Sequence, residues 1–360
     1  MTRRWNSAAL PATPGVTTLG LATIGLGLLG LGLLAAQPAR ADATKDFYTG
    51  KRLTLITSAS TGGGYDQYAR LLAQHMPKYI PGSPNIVVQN MPGAEGIKAA
   101  NYLWSIAPRD GTTVGGLQRN TGLARFYQPQ GASIQFDVQK FIWLGSMQQE
   151  VGFLLVRQAS GVSDVAGLKT KEITASSTSR NSPSSIYPRM LNALYGTKIR
   201  VIEGYGGSQE ALFALERGEA DSHVSGGTSA AFRARYRPWE KAGTVNVILQ
   251  LGMERDREYP NIPTALEVVD NPEAKRIFEI AFVEQVMRRP FMLPPDVPRD
   301  RSDALRKAFD AALKDKDLIA EADKRGMELE PVSGARIAEL LDVVYRTPPA
   351  LAERIRQIVK

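Results

Sequence analysis

The chain has 360 residues, of which 43% are hydrophobic and 22% are charged. This length exceeds one average domain, and the apolar content is sufficient for a folded core and argues against disorder. The absence of cysteine excludes disulfides, thiolate catalysis and a lipid-bearing cysteine, and two histidines are too few for a histidine-rich metal site. The net charge of +8 comes from basic residues dispersed among acidic ones. We therefore expect no nucleic-acid partner, no metal and no cofactor.

Residues 1–41 have the pattern of a secretory signal peptide. Arg3 and Arg4 precede an apolar run from residue 16 to residue 36, and Ala39-Arg40-Ala41 is a small-x-small cleavage signal before Asp42. An uncleaved membrane anchor is the alternative, but the glycines of the run and the cleavage signal favour removal. The general and the twin-arginine export routes both stay open. We expect an exported chain that keeps 41 of its 44 basic residues and all 36 acidic ones, a surplus of +5.

Strand and helix patterns alternate along the rest of the chain, from Leu53 onward. This alternation predicts an α/β fold with mixed, largely parallel sheets. The chain leaves a first series of units near Gly145-Ser146, and a second series begins at Gly152. We therefore predict a first part of lobe 1 at residues 42–146, lobe 2 at 147–250, and a return to lobe 1 at 251–360.

A polar run, residues 57–66, connects the first predicted strand to the first predicted helix. Its three glycines, at 62–64, allow backbone N–H groups to converge on an anion at the positive end of the helix. We expect Gly63 to have a positive φ, so that Gly63→Val would abolish binding without unfolding the chain. The alternative is a flexible loop whose Asp66 only compensates the helix dipole.

Two later segments repeat this arrangement. Residues 175–185 and 204–208 each follow a predicted strand and precede a predicted helix, and both contain hydroxyl side chains or glycines. Ligands of open α/β sheets bind beyond the carboxyl ends of strands. Since these two segments belong to a different predicted lobe from the first, we expect a binding cleft between the lobes.

Seven short motifs along the mature chain resemble one family. They are TGGGYD at 61–66, VVQNMPGAEG at 87–96, APRDGTT at 107–113, YGGS at 205–208, GEAD at 218–221, PNIPT at 260–264 and PFMLPP at 290–295. Together they resemble the periplasmic solute receptors of tripartite tricarboxylate transporters. The resemblance implies a two-lobed, Venus-flytrap fold that closes on a small organic acid in the periplasm. It also implies a monomer without enzymatic activity that delivers the acid to the membrane subunits of the transporter.

The resemblance places ligand contacts in the three loops and after the strand that ends at Leu117. The residues that we expect there are Ser58, Ser60, Thr61, Gly62, Gly63, Gly64, Asp66, Asn120, Thr121, Ser177, Thr178, Ser179, Arg180, Tyr205, Gly206, Gly207 and Ser208.

Some of these residues depart from the family's usual pattern. Ser58 and Thr61 stand where a proline-containing approach is usual, and Ser179-Arg180-Asn181 replaces smaller residues. Arg180 could recognise a carboxylate through its guanidinium fork, or it could face solvent. The acid could therefore be tricarboxylic, dicarboxylic, aromatic or an amino acid.

Enzyme signatures are missing from the sequence. It contains no Gly-x-Ser-x-Gly elbow, no Walker A sequence and no His-Glu-x-x-His motif. The alternative to a transport receptor is a periplasmic carboxylate sensor that presents its ligand to a histidine-kinase partner. His223 is expected to be a hydrogen-bonded core histidine and not a ligand contact.

Overall fold

The structure is a computed structural model that describes residues 38–127, 133–226 and 230–360. Most of the predicted signal peptide lies outside the described residues. The described chain begins with helix α1 (Pro38–Tyr48), which spans the predicted cleavage point. Among the described helices, none has the length and apolar character needed to cross a membrane.

Eleven strands are described. They are β1 (Arg52–Thr57), β2 (Asn85–Asn90), β3 (Thr113–Gly116), β4 (Ile142–Ser146), β5 (Gly152–Arg157), β6 (Ile173–Ser176), β7 (Ile199–Ile202), β8 (Ser222–Gly226), β9 (Val245–Leu251), β10 (Pro290–Leu293) and β11 (Val332–Ser333).

The other described α-helices lie mostly between these strands. They are α2 (Gly64–His75), α3 (Ile97–Ser105), α4 (Ala124–Tyr127), α5 (Gly167–Thr170), α6 (Pro183–Tyr195), α7 (Ser208–Arg217), α8 (Ala230–Lys241), α9 (Ala265–Val268), α10 (Pro272–Val286), α11 (Arg299–Ala312), α12 (Lys316–Lys324), α13 (Gly334–Tyr345) and α14 (Pro349–Val359).

The strands form two separate mixed sheets. The first has the order β11-β4-β10-β3-β1-β2, in which β1 is parallel to β2 and β3, and β10 is antiparallel to β3 and β4. The second has the order β7-β6-β8-β5-β9, in which β6 is parallel to β7 and β8, and β5 is antiparallel to β8 and β9. The predicted mixed α/β class is confirmed.

Helix α10 packs between elements of the two sheets. Its Phe278 and Phe282 are fully buried, in a cluster that also contains Trp143 of β4 and Tyr187 of α6. The rings of Tyr187 and Phe282 meet edge to face with their centres 5.5 Å apart. Because α10 is buried on nearly every side, it connects the two halves through apolar contact.

The two segments that connect the sheets run beside each other. Met147 N–H donates to the Arg289 carbonyl oxygen at 3.0 Å, and Arg288 N–H donates to that of Gln148 at 3.0 Å. Residues 256–264, in contrast, stay with the second sheet, because the side-chain amide of Gln250 donates to two of their carbonyl oxygens at 2.8 Å. The chain thus keeps contact with the second sheet beyond residue 250, the predicted end of lobe 2.

Gly334 lies where the start of α13 packs directly against the backbone of β4. A Cβ at this residue would overlap the Trp143 carbonyl oxygen and lie 2.7 Å from its carbon. We expect Gly334→Ala to lower the free energy of unfolding by about 1–3 kcal/mol, the usual cost of overpacking. Ala335→Ser, on the exposed side of the same helix, should change it by less than about 0.5 kcal/mol. Urea denaturation of both variants measures the difference, and equal values would show that the helix simply moves away.

Candidate functional site

The glycine loop before α2 differs from the prediction. The residue with positive φ is Gly62, at 81°, whereas Gly63 has φ −68° and ψ 160°. Gly62 N–H donates to Asp66 Oδ2 at 2.8 Å, and Gly63 N–H donates to the Ser60 carbonyl oxygen at 3.1 Å. The expectation of a strained Gly63 is therefore wrong. These two amides donate to acceptors within the loop itself.

Asp66 holds this loop in place. Besides the Gly62 amide, it accepts hydrogen bonds from Arg70 Nε at 2.9 Å and from Asn90 Nδ2 at 2.7 Å. Burial alone would raise the pKa of Asp66, but these hydrogen bonds from Arg70, Gly62 and Asn90 keep it below its ordinary value. Asp66 therefore orders the loop through both of its carboxylate oxygens.

Three polar atoms of predicted site residues are buried without a hydrogen-bond partner among the described residues. They are Ser58 Oγ, Thr121 Oγ1 and Asn120 Oδ1. Ser58 and Thr121 both lie against Gly96, where a Cβ would come within 2.9 Å of Thr121 Oγ1 and 3.5 Å of Ser58 Cβ. Buried hydroxyls without partners cost free energy, which an additional hydrogen-bonding group would recover.

Glu95 connects this cluster to the second sheet. Its carboxylate accepts from Asn120 Nδ2 at 3.1 Å and from Ser179 Oγ at 3.3 Å. Burial raises the pKa of Glu95, and the two hydrogen bonds oppose that rise. Asn120 follows β3 of the first sheet and Ser179 follows β6 of the second, so predicted site residues of the two halves meet through Glu95.

The loop after β6 has a cluster of serine hydroxyls. Ser177 Oγ lies 2.9 Å from Ser182 Oγ and 2.9 Å from Ser184 Oγ, and Ser182 Oγ donates to the Ser179 carbonyl oxygen at 2.7 Å. Ser182 is the residue before α6, so these hydroxyls surround the N-terminus of that helix. The arrangement places several donors at the positive end of a helix dipole.

The loop after β7 contains the same kind of hydrogen bond as the glycine loop, from a glycine amide to an acid in the following helix. Gly206 N–H donates to Glu210 Oε2 at 2.7 Å, four residues on, as Gly62 N–H donates to Asp66. Tyr205 N–H donates to the Ser177 carbonyl oxygen at 3.3 Å, which holds the two second-sheet loops together. Gly207, with φ −178°, has extended backbone and precedes α7.

A cavity of about 420 Å³ lies where these loops meet the connecting segments. Its charged lining consists of Arg119, Glu150, Arg235 and Arg288. Its hydrogen-bonding side chains are those of Thr178, Ser182, Ser184, Ser208, Gln209, His223 and Ser225.

Glu150 pairs with two arginines beside this cavity. One of its oxygens accepts a hydrogen bond from Arg119 Nη1, and the other forms an ion pair with Arg288 Nη1. Burial alone would raise the pKa of Glu150, but Arg288 and Arg119 hold it below its ordinary value. Arg119 also donates to Gln285 Oε1 at 3.1 Å. The carboxylate is therefore fixed in its ionised form between two guanidiniums.

The structure separates the predicted site residues into groups. Thr178 and Ser208 line the cavity, and Ser58, Thr121 and Ser177 are buried beside it or beneath the first loop. Others are exposed and do not contribute to the lining; they are Ser60, Thr61, Gly62, Gly63, Gly64, Arg180 and Gly206.

Sequence reasoning missed the arginines and acid of the cavity. Arg119 directly precedes the predicted Asn120 after β3, and Arg288 lies two residues before β10. Their positions next to the ends of strands are the sequence feature that could have marked them as residues of the site. His223 is hydrogen-bonded as predicted, with Nδ1 donating to the Ser176 carbonyl oxygen at 3.0 Å. It also lines the cavity, which was not predicted.

A second, larger groove of about 1050 Å³ lies between residues 253–258 and residues 326–333. Its lining within the described residues includes none of the predicted ligand contacts. The described residues also contain no group of three or more His, Asp and Glu side chains that could hold a metal ion.

A family model described as "Tripartite tricarboxylate transporter family receptor" matches residues 68–333. The chain belongs to this family. Members of the family are solute-binding proteins, and the resemblance seen in the sequence motifs is confirmed. A curated relative from Cupriavidus necator, "UPF0065 protein in gbd 5'region", is 26% identical over 245 residues, which cover 65% of this chain and 68% of the relative.

Solved structures share the fold. A solute-binding protein from Polaromonas is 17% identical with a TM-score of 0.65, over 87% of this chain and 99% of that one. The protein MatC from Rhodopseudomonas palustris with bound malate is 20% identical with a TM-score of 0.56, over 86% and 99%. A further R. palustris protein, with adipate, is 17% identical with a TM-score of 0.56, over 86% and 97%. The receptor thus has a periplasmic-binding-protein fold.

The Asp66 network gives a prediction about stability. We expect Asp66→Ala to lower the free energy of unfolding by about 3 kcal/mol, because a buried acceptor of charge-assisted hydrogen bonds is lost. Arg70→Ala should cost less than about 1 kcal/mol, because the Arg70 side chain is 46% exposed. Urea denaturation compares the two, and similar losses would mean that Asp66 acts only through its ion pair with Arg70.

His223 gives a prediction about pH. Burial lowers the pKa of His223 from 6.5 to about 4. Between these two pKa values the imidazole is protonated in the unfolded chain but not in the folded chain. The free energy of unfolding that this group contributes is therefore fully present above pH 6.5 and is lost as the pH falls towards 4. For wild type, the free energy of unfolding should fall by about 3 kcal/mol over this pH range. His223→Gln should remove this contribution to the pH dependence. Urea denaturation of both proteins at pH 7.5, 5.5 and 4.5 measures this. The same pH dependence of the free energy of unfolding in both would show that the imidazole is hydrated in the folded chain.

Proposed function

We propose that this protein is an exported solute receptor that captures a small organic carboxylate in the cavity between the two sheets. The observation that carries the proposal is the lining of that cavity, in which hydroxyls at the N-termini of α6 and α7 face arginines of the connecting segments. Such donors bind carboxylates without needing a metal. The malate and adipate in two proteins of the same fold support this class of ligand.

We assign direct contacts to Thr178, Ser184 and Ser208, because these side chains line the cavity. Ser58 and Thr121 are proposed to bind once the halves separate or close, since their unpartnered oxygens lie beneath the first loop. The halves would correspond to the two lobes, which would rotate about the paired segments 147–150 and 285–289.

Delivery to the membrane subunits of a tripartite tricarboxylate transporter is the proposed purpose of binding. Family membership supports this role and the proposed location in the periplasm, and the sequence pattern supports the removal of residues 1–41. We propose that the protein performs this role as a monomer.

The purified mature chain should be stabilised by a small carboxylate and should not convert it. At a hundredfold excess of ligand over its Kd, the free energy of unfolding should rise by about 2.7 kcal/mol. A thermal and urea denaturation screen of organic acids, sugars and basic amino acids measures this. Stabilisation by sugars or basic amino acids alone would overturn the proposal.

Two threonine variants locate the site in that screen. Thr178→Val should weaken binding by about 0.5–1.5 kcal/mol, the net value of one hydrogen bond. Thr170→Val, on the exposed side of the same half, should leave the affinity unchanged. Uptake of the identified acid by vesicles that carry the membrane subunits tests delivery.

A further inference from the structure

Arg119 and Arg288 occupy one end of the cavity with Glu150 behind them. The side chains of the two arginines are 18% and 20% exposed, whereas that of Glu150 is 1% exposed. All three line the cavity. Because the carboxylate is nearly covered and the guanidiniums are not, the accessible surface at this end of the cavity is cationic.

The charges at this end do not balance. Two guanidiniums share the single carboxylate of Glu150, and Arg235 adds a third guanidinium elsewhere in the lining, where it donates to Gln209 Oε1 at 2.5 Å. A further acid that acts on Arg119 is Glu284, whose pKa is raised by burial and whose carboxyl group accepts from Tyr187 OH at 2.7 Å. A partly buried surplus of positive charge is costly, and an anionic group offsets that cost.

We propose that Arg119 and Arg288 form a subsite for a second acid group of the ligand, so that the receptor selects dicarboxylates over monocarboxylates. The inference rests on the proposed function, in which the first acid group binds at the hydroxyls of Thr178, Ser184 and Ser208. The two ends of the cavity then hold the two ends of a short dicarboxylate. A volume of about 420 Å³ accommodates an acid of four to six carbons.

Glu150 is the positioning residue of this subsite. Each of its oxygens forms an ion pair with a different arginine, so the two guanidiniums are held near each other before a ligand arrives. Gly226 at the end of β8 leaves room for the Glu150 carboxylate, because a Cβ there would overlap Glu150 Oε2. Donors held in place in advance lose little entropy on binding.

Arg180 is the alternative partner for a second acid group. It lies in the loop after β6 and is exposed, and it is not part of the cavity lining. The arginines of the connecting segments are therefore favoured over the arginine that the sequence singled out.

The test is calorimetry with succinate, glutarate and adipate and with the monoamide of each. Wild type should bind the tightest diacid at least about tenfold more tightly than its monoamide, the value of one charge-assisted contact. Arg288→Gln leaves Arg119 and Glu150 as a neutral pair, so the chain should remain folded while the preference falls to below about threefold. Arg180→Gln is the matched control and should keep the wild-type ratio.

Three results would overturn the inference. They are equal binding of diacid and monoamide by wild type, an unchanged ratio in a folded Arg288→Gln protein, and loss of the ratio in Arg180→Gln. In each of these the proposed function survives, because carboxylates still bind. Failure of every acid and monoamide to bind would overturn both. The variant Arg119→Gln, which likewise leaves one guanidinium paired with Glu150, should also lose the preference while it remains folded.

Discussion

The ion pairs of Glu150 with Arg119 and Arg288 are the constraint on which the middle of the molecule depends. The carboxylate belongs to the segment that leaves the first sheet, and its partners come from the turn after β3 and from the segment that returns to β10. A buried carboxylate is stable only with its partners in place. The three segments must therefore meet at one point, and that point borders the cavity.

The loops around this point are ordered by their own acids. Asp66 and Glu210 each accept the N–H of a glycine four residues earlier, at the start of α2 and of α7. A glycine-rich turn before a helix is usually regarded as an open cradle for anions. In this receptor, two of the glycine amides in these turns already donate to carboxylates. The groups that remain to bind a ligand are hydroxyls, first-turn amides and guanidiniums.

Local sequence patterns predicted the fold well and the site only in part. Alternating strands and helices, and polar loops after strands, depend on short-range periodicity and turn chemistry, which one sequence displays. The pairing of Arg119 with Glu150 joins residues 31 apart, and no local pattern reveals it. The prediction of a positive φ at Gly63 was wrong because three adjacent glycines share one turn, and the sequence does not show which of them is left-handed. The hydrogen bond from Gly62 N–H to Asp66 determines that it is Gly62.

Helix α10 limits how the two halves can move. Its apolar residues pack against both sheets, while Glu284 and Gln285 at its end bond to Tyr187 of α6, and Gln285 also bonds to Arg119. The helix cannot follow one half without breaking contacts to the other. The proposed rotation of the halves would therefore have to occur in the short paired segments 147–150 and 285–289, where Glu150 N–H bonds to the Gln285 carbonyl oxygen and Arg288 N–H to that of Gln148. Since Arg288 lies in such a segment, the proposed rotation would change the position of a guanidinium relative to the cavity and would couple closure to ligand charge.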